Sequence, residues 1–397
     1  MQTTSQKAAR LLLFALAIGS FAIGTTEFST MSLVPFIADD FQIAESTAGH
    51  LITAYALGVV VGAPLISIVF ATWSKRKLLI ALMLFFALLH AVSALAPHYN
   101  FLLLSRFLAG LPHGAYFGVA SLVAVSLVPQ HKRAQAVGLV MTGLTVSTIL
   151  GVLCSGWLAE LFGWRINFWF VSALSLFNVY MVWRFFASTN PVNTLKTHPI
   201  QELGALRNPR VWLLLGIGIV GFCGMFSVYT YAASALIQAA NVPRPWVPPI
   251  MCLFGVGMTF SNIFVTRLFG AKPLRGIATL LLFSAVALFL YSVVVEHWLG
   301  VAVVALMIGL LGAAGSLVQV ELMDNAKDAQ TLAAALNHSA FNIANALGPF
   351  LGGLALDAGF GWGSPGIVGS IASLLGLALC LYTMHYFKKT APQPAQL

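Results

Sequence analysis

Twelve apolar stretches run between Leu11 and Phe387, and each is long enough to cross a bilayer, which takes roughly 20 apolar residues per helix. They are read at 11–33, 48–70, 77–96, 100–126, 134–159, 165–187, 211–238, 246–268, 274–295, 298–323, 331–356 and 364–387. Hydrocarbon offers the backbone no hydrogen-bond partner, so stretches of this length must be helices that satisfy their own N–H and C=O groups. The expected fold is therefore an all-α polytopic membrane protein with twelve transmembrane helices. With 59% of the chain hydrophobic and 8% charged, no soluble segment remains that could build a second core.

The net charge of +9 does not point to nucleic acid, because the basic residues sit in short connections between spans, where they set orientation. All of the 20 Lys and Arg except Arg106, Arg165 and Arg244 fall on one side if the amino terminus is cytoplasmic. An even number of spans then puts both termini in the cytoplasm. The amino-terminal apolar run resembles a signal peptide but continues through Glu27 without a small-residue cleavage site, and is read as a retained first span. Cys154, Cys223, Cys252 and Cys380 all lie within spans without CxxC spacing, so neither a disulfide framework nor a zinc site is indicated. No cofactor or metal is expected.

The longest polar connection, about 189–210, divides the chain into bundles of six spans at 1–188 and 211–397. A repeat crosses that divide. Gly143 to Gly151, followed by Gly156 and Phe162-Gly163-Trp164, echoes Phe341 to Gly348, followed by Gly353 and Phe360-Gly361-Trp362. Each copy belongs to a fifth span of six, so the two copies enter the membrane from the same side. The halves are thus parallel six-helix repeats, an architecture in which two bundles rock about a midplane site.

Polar groups inside spans are expensive, and they mark candidate sites. Glu27 lies in span one and Arg106 opens span four, each roughly 9 Å below the same membrane boundary at 1.5 Å per residue. The matching depth predicts that they approach each other in at least one state. Burial and a neighbouring arginine act on a carboxyl in opposite senses, which suits a group that takes up and releases one proton per cycle. His113 follows Pro112 close to the midplane. Tyr55, Tyr116, Tyr229 and Tyr231 offer ring faces with a hydroxyl, and Gln319, Asn337, His338, Asn342 and Asn345 place hydrogen-bonding groups in spans ten and eleven. These suit a cavity for a polar neutral ligand, and equally suit interhelical bonding. Gly110, Gly114 and Gly118, and Gly348 with Gly352, form small-residue faces for close helix packing.

Several strings are together similar to the major facilitator superfamily. They include the basic loop after span two, an Arg opening a glycine-spaced span four, and a glycine-patterned span five followed by Gly163-Trp164-Arg165. Gly24-Thr-Thr-Glu-Phe28, Leu111-Pro-His-Gly-Ala-Tyr-Phe-Gly118 and Ala335-Leu-Asn-His-Ser-Ala-Phe-Asn342 resemble its twelve-span drug:proton antiporter branch, in particular arabinose-efflux-permease-like members. The resemblance implies a central cavity between spans one, four, seven and ten, with proton coupling at Glu27 and Arg106. The resemblance places His113, Tyr116, Tyr229 and Gln319 on those helices, and with Asn337 and Asn342 of span eleven they are the expected substrate contacts. It also implies a bacterial cytoplasmic (inner) membrane location, with protons, a small-molecule substrate and the lipid bilayer as partners, and a monomer as sufficient unit. Two departures stand out. Ala71-Thr-Trp-Ser-Lys-Arg-Lys77 carries no Asp where the family's Gly-x-x-x-Asp-Arg loop has one, and Gly151 is not followed by the proline usual in antiporters.

The expected activity is proton-coupled efflux of small polar or amphipathic molecules, such as sugars, nucleosides or drugs, by alternating access. A proton-independent facilitator or uptake carrier on the same fold stays open. An enzyme is not expected, since the chain holds no HExxH, GxSxG or P-loop string.

Overall fold

The computed structural model describes residues 2–43, 45–189, 203–243, 246–326 and 329–389. The expected linker lies mostly outside the described residues, as does Arg244; its described end is the short 3-10 turn Leu203–Arg207. Twelve helices long and apolar enough to cross a membrane occur in the expected order, and no strand occurs among the described residues.

The spans are α1 (Gln2–Phe41), α2 (Glu45–Val69), α3 (Lys75–Ala94) and α4 (Tyr99–Ser126). The fifth, α5, is built of Arg133–Val146, a π turn over Ser147–Gly151 and Val152–Phe162. Then follow α6 (Arg165–Thr189), α7 (Pro209–Gln238), α8 (Val247–Phe269) and α9 (Pro273–Val294). The tenth, α10, comprises Trp298–Gly309 and Gly312–Asn325, and is followed by α11 (Gln330–Asp357) and α12 (Ser364–Lys389). The π turn falls in the repeat segment that the sequence singles out, and such turns cluster at functional positions.

Polar side chains set the helix ends. Ser74 and Asn208 cap α3 and α7 through side-chain acceptors, and Pro209 and Pro273 open their helices where a missing N–H costs nothing. Gly163 ends α5 at φ +81° and Gly361 precedes α12 at φ +75°, conformations that a Cβ would strain.

Close packing repeats between the halves. A Cβ on Gly58 would strike the Phe107 carbonyl and one on Gly110 the Tyr55 carbonyl, locking α2 onto α4. The same two collisions recur at Gly257 with Leu306 and at Gly309 with Phe254, locking α8 onto α10. All four residues are displaced by one constant offset along the chain, from 55, 58, 107 and 110 to 254, 257, 306 and 309.

Helix ends identify one face that carries the start of α1 and the end of α12, called the terminal face below. Arg10 near the start of α1 and Lys132 beside the start of α5 line a common cavity, and Arg133 pairs with Asp324 at the end of α10. The neighbouring Asn325 lies 3.5 Å from Arg210 of α7, whose guanidinium covers the ring of Phe387 in α12 at 4.8 Å. At the opposite face Arg165 donates to Asp40 at 2.6 Å and to the Ala96 carbonyl at 3.2 Å, joining the ends of α1, α3 and α6. This hydrogen bond, with another from the Trp164 indole, holds the Asp40 carboxyl below its ordinary value.

The first six and last six helices meet through α2 and α4 against α11, and through α5 against α8 and α10. Towards the terminal face Lys75 Nζ donates to Thr331 Oγ1 at 3.2 Å, and Gln319 Nε2 donates to Ser121 Oγ at 2.6 Å. Lys75 is buried although its loop lacks the acid expected there, so the basic half of that loop still reaches the other half of the chain.

Candidate functional site

Arg106 is buried in α4, where an arginine must be given partners or water. Its Nη1 donates to Thr26 Oγ1 at 2.8 Å, and its guanidinium lies over Tyr55 at 4.4 Å and faces Phe168 at 5.4 Å. The expected matching depth of α1 and α4 is thus realised through Thr26. Glu27 makes no ion pair with Arg106. Successive residues on a helix point about 100° apart, so Thr26 turns to Arg106 while Glu27 turns into the interface between the two halves.

A third residue completes the Arg106 cluster. His90 of α3 is wholly buried, with Nδ1 2.8 Å from the Phe86 carbonyl and Nε2 2.9 Å from Thr26 Oγ1. A carbonyl only accepts, so Nδ1 carries the proton, and in the neutral ring Nε2 accepts from the Thr26 hydroxyl. The Thr26 oxygen keeps its lone pairs for Arg106. Sequence reasoning passed over His90 and Thr26; an ionisable ring within an apolar third span was the available signal for the first.

Glu27 lines a cavity of about 50 Å³ between the halves, together with Phe28, His113, Asn337, His338 and Asn342. Met225, Met258 and Phe341 supply apolar wall, and Asn262 and Ser316 add polar wall that the sequence did not single out. The Asn262 carboxamide is recruited by its neighbours, accepting from Ser316 at 2.6 Å and donating to the Met258 carbonyl at 3.1 Å. The cavity has room for a few water molecules and is much smaller than sites that enclose drug-sized ligands. A larger ligand therefore requires the halves to move apart.

His113 lies 3.0 Å from the Tyr55 hydroxyl through Nδ1, and its ring centre is 5.6 Å from that of His338 across the interface. His338 stacks on Phe117 at 4.0 Å. Asn337 donates to Gln319 Oε1 at 3.1 Å, and Asn342 to the His338 carbonyl at 3.0 Å. Asn337 Oδ1, His338 Nε2 and Asn342 Oδ1 are buried without a protein partner, whereas most buried polar groups in folded proteins are paired.

Three other expected cavity residues do not line this cavity. Tyr116 is fully buried, with its hydroxyl on the Leu16 carbonyl at 2.9 Å and the Asn178 amide donating to it at 3.3 Å, so it ties α1, α4 and α6 together. Tyr229 packs its ring against Phe254 at 4.6 Å and Phe28 at 6.2 Å, on the side of the cavity away from the terminal face. Gln319 spends both ends of its amide on Ser121 and Asn337. Tyrosine and glutamine in a span read the same from sequence whether they face a cavity or a neighbouring helix. Among the described residues no three His, Cys, Asp or Glu converge as metal ligands.

The profile of the Major Facilitator Superfamily matches residues 16–330. The chain belongs to this superfamily. As one of its members it is a membrane transporter for small molecules, and not an enzyme. It is 37% identical to the inner membrane transport protein YdhP of Escherichia coli (strain K12) over 378 residues, covering 95% of this chain and 96% of that protein. It is 31% identical to the chloramphenicol resistance protein of Streptomyces lividans over 353 residues, with 87% and 89% covered. In fold it is similar to the proton:xylose symporter XylE, at a TM-score of 0.76 and 14% identity over 97% of this chain and 96% of that one.

Proposed function

We propose that this facilitator exports small polar or amphipathic molecules in exchange for protons, by alternating access between two six-helix bundles joined at 189–210. The observation that carries the reading is the Glu27 carboxyl in the wall of a small cavity between the halves, beside the unpartnered polar atoms of Asn337, His338 and Asn342. A carboxyl is the one acid in that wall, so a proton and a ligand there would compete for the same space and charge. Arg106, one residue away from Glu27 on Thr26, places a fixed positive charge beside that acid. His113, Asn337, His338 and Asn342 would orient the ligand, with the methionines and Phe341 covering its apolar parts.

Efflux is favoured over uptake by the similarity to the chloramphenicol resistance protein, whose name denotes resistance to an amphipathic drug. The inner membrane location of the protein similar at 37% identity supports the same membrane here. The positive-inside bias supports cytoplasmic termini, and with them a cytoplasmic terminal face. Latching of that face by Arg133 with Asp324 and Lys75 with Thr331 then corresponds to a state closed towards the cytoplasm. Each bundle pair encloses its own cavity, so a monomer suffices.

The deciding experiment follows proton release from purified, reconstituted protein on adding sugars, nucleosides and amphipathic drugs, comparing wild type with Glu27→Gln. Ligand-dependent release that is lost in the variant is expected. Ligand binding with no release in either protein would leave a proton-independent facilitator.

A further inference from the structure

The terminal face holds a second, larger cavity of about 590 Å³ between the ends of α1, α5 and α8. Three cations line it, Arg10, Lys132 and Arg267, and no acidic residue does. All three are exposed, and none makes an ion pair among the described residues; Arg267 only leans on the Phe264 ring at 5.9 Å. Three like charges left uncompensated around one cavity repel one another and favour an anion between them.

Apart from Gln135, Thr142 and Asn262, the rest of the wall is apolar. Leu13, Leu139 and Ile263 line it, and Leu139 is 44% exposed although it lies within a span. From Lys132 to Thr142, both in the wall, the chain climbs roughly 15 Å at 1.5 Å per residue, away from the charged rim and into the depth of the bilayer. A free inorganic anion would use the rim and leave this slope empty. A charged head continuous with a hydrocarbon tail fits both.

We propose that this cavity binds an anionic glycerophospholipid, its phosphate among Arg10, Lys132 and Arg267 and an acyl chain along Leu13, Leu139 and Ile263. Juxtamembrane cations gain appreciably from anionic headgroups, and basic pockets between spans suit them. Asn262 stands in the wall of this cavity and in that of the Glu27 cavity, so a bound lipid touches the partition between them. The site does not depend on the exported substrate.

The test uses the full chain in detergent micelles and a fluorescent phosphatidylglycerol as probe. Arg10→Gln/Lys132→Gln/Arg267→Gln is compared with Lys272→Gln/Arg275→Gln/Lys388→Gln, which removes equal charge from exposed positions outside the cavity. Circular dichroism checks that both remain folded. Binding at least about tenfold weaker in the cavity variant only is expected, with no displacement by phosphatidylcholine of the same chain length. Equal weakening in both variants, or none in the cavity variant, overturns the site. Displacement by millimolar inorganic phosphate overturns the lipid as occupant.

Discussion

Arg106 Nη1 rests on Thr26 Oγ1 at 2.8 Å, one residue short of Glu27, and His90 Nε2 meets the same hydroxyl at 2.9 Å. One oxygen therefore mediates between a permanent cation and a neutral imidazole, and the carboxyl beside it is left free to face the cavity. The arrangement separates the charge that influences Glu27 from the bonds that hold it.

Thr26→Val keeps the shape of the side chain and removes its hydroxyl. Arg106 and His90 would each lose a buried partner, at a cost of about 1–3 kcal/mol. The thermal midpoint of the purified protein should fall, and Thr26→Ser should restore it. An unchanged midpoint in the valine variant would mean that the hydroxyl contributes nothing to holding Arg106.

Asn342→Leu replaces an unpartnered carbonyl in the cavity wall by an apolar group of similar volume. On the proposed role, ligand affinity should fall by about tenfold, one hydrogen bond's worth, while Glu27 still releases protons at saturating ligand. Binding titration and proton release on the same sample separate the two effects. Unaltered affinity would remove Asn342 from the ligand site.

Gly110→Leu and Gly309→Leu each drive a side chain into a backbone carbonyl, which cannot turn aside as a flexible side chain would. Each should destabilise by about 1–3 kcal/mol or more, and by similar amounts, because α2 on α4 and α8 on α10 repeat one geometry. Thermal unfolding followed by fluorescence size-exclusion measures both. A loss at only one position would show that the two contacts are not equivalent.

Asp40 contributes stability through its lowered proton affinity, with a definite sign. The contribution is present above the carboxyl's ordinary value of 3.8 and is lost as pH falls through the lowered value. Asp40→Asn should therefore lower the thermal midpoint at neutral pH, modestly because the pair is partly exposed, and the difference should vanish in strong acid. A difference that persisted there would assign the effect to packing.

Much of the fold was legible along the chain. Apolar runs of bilayer length can only be helices in hydrocarbon, so the number and order of the spans follow from local composition. The four-residue spacing of Gly110, Gly114 and Gly118 in span four, and of Gly348 and Gly352 in span eleven, likewise marked where helices press together. The second and eighth spans escaped that reading as one repeat, since Gly58 and Gly257 carry little similarity around them and become equivalent only by what they touch.

The candidate site divides in the same way. That Glu27 and Arg106 lie at one depth was determined by the sequence, because depth along a helix is a matter of counting residues. Whether they pair was decided by rotation of α1, which gives Arg106 to Thr26 and Glu27 to the cavity. His113, Asn337 and Asn342 line that cavity, while Tyr116 bonds the Leu16 carbonyl, Tyr229 packs on Phe254 and Gln319 bonds Ser121 and Asn337 behind the wall, although all six are polar groups in spans. Sequence determines which groups must be withdrawn from lipid. Only the packing of twelve helices decides whether each is withdrawn into a neighbouring helix or into the space where a substrate can sit.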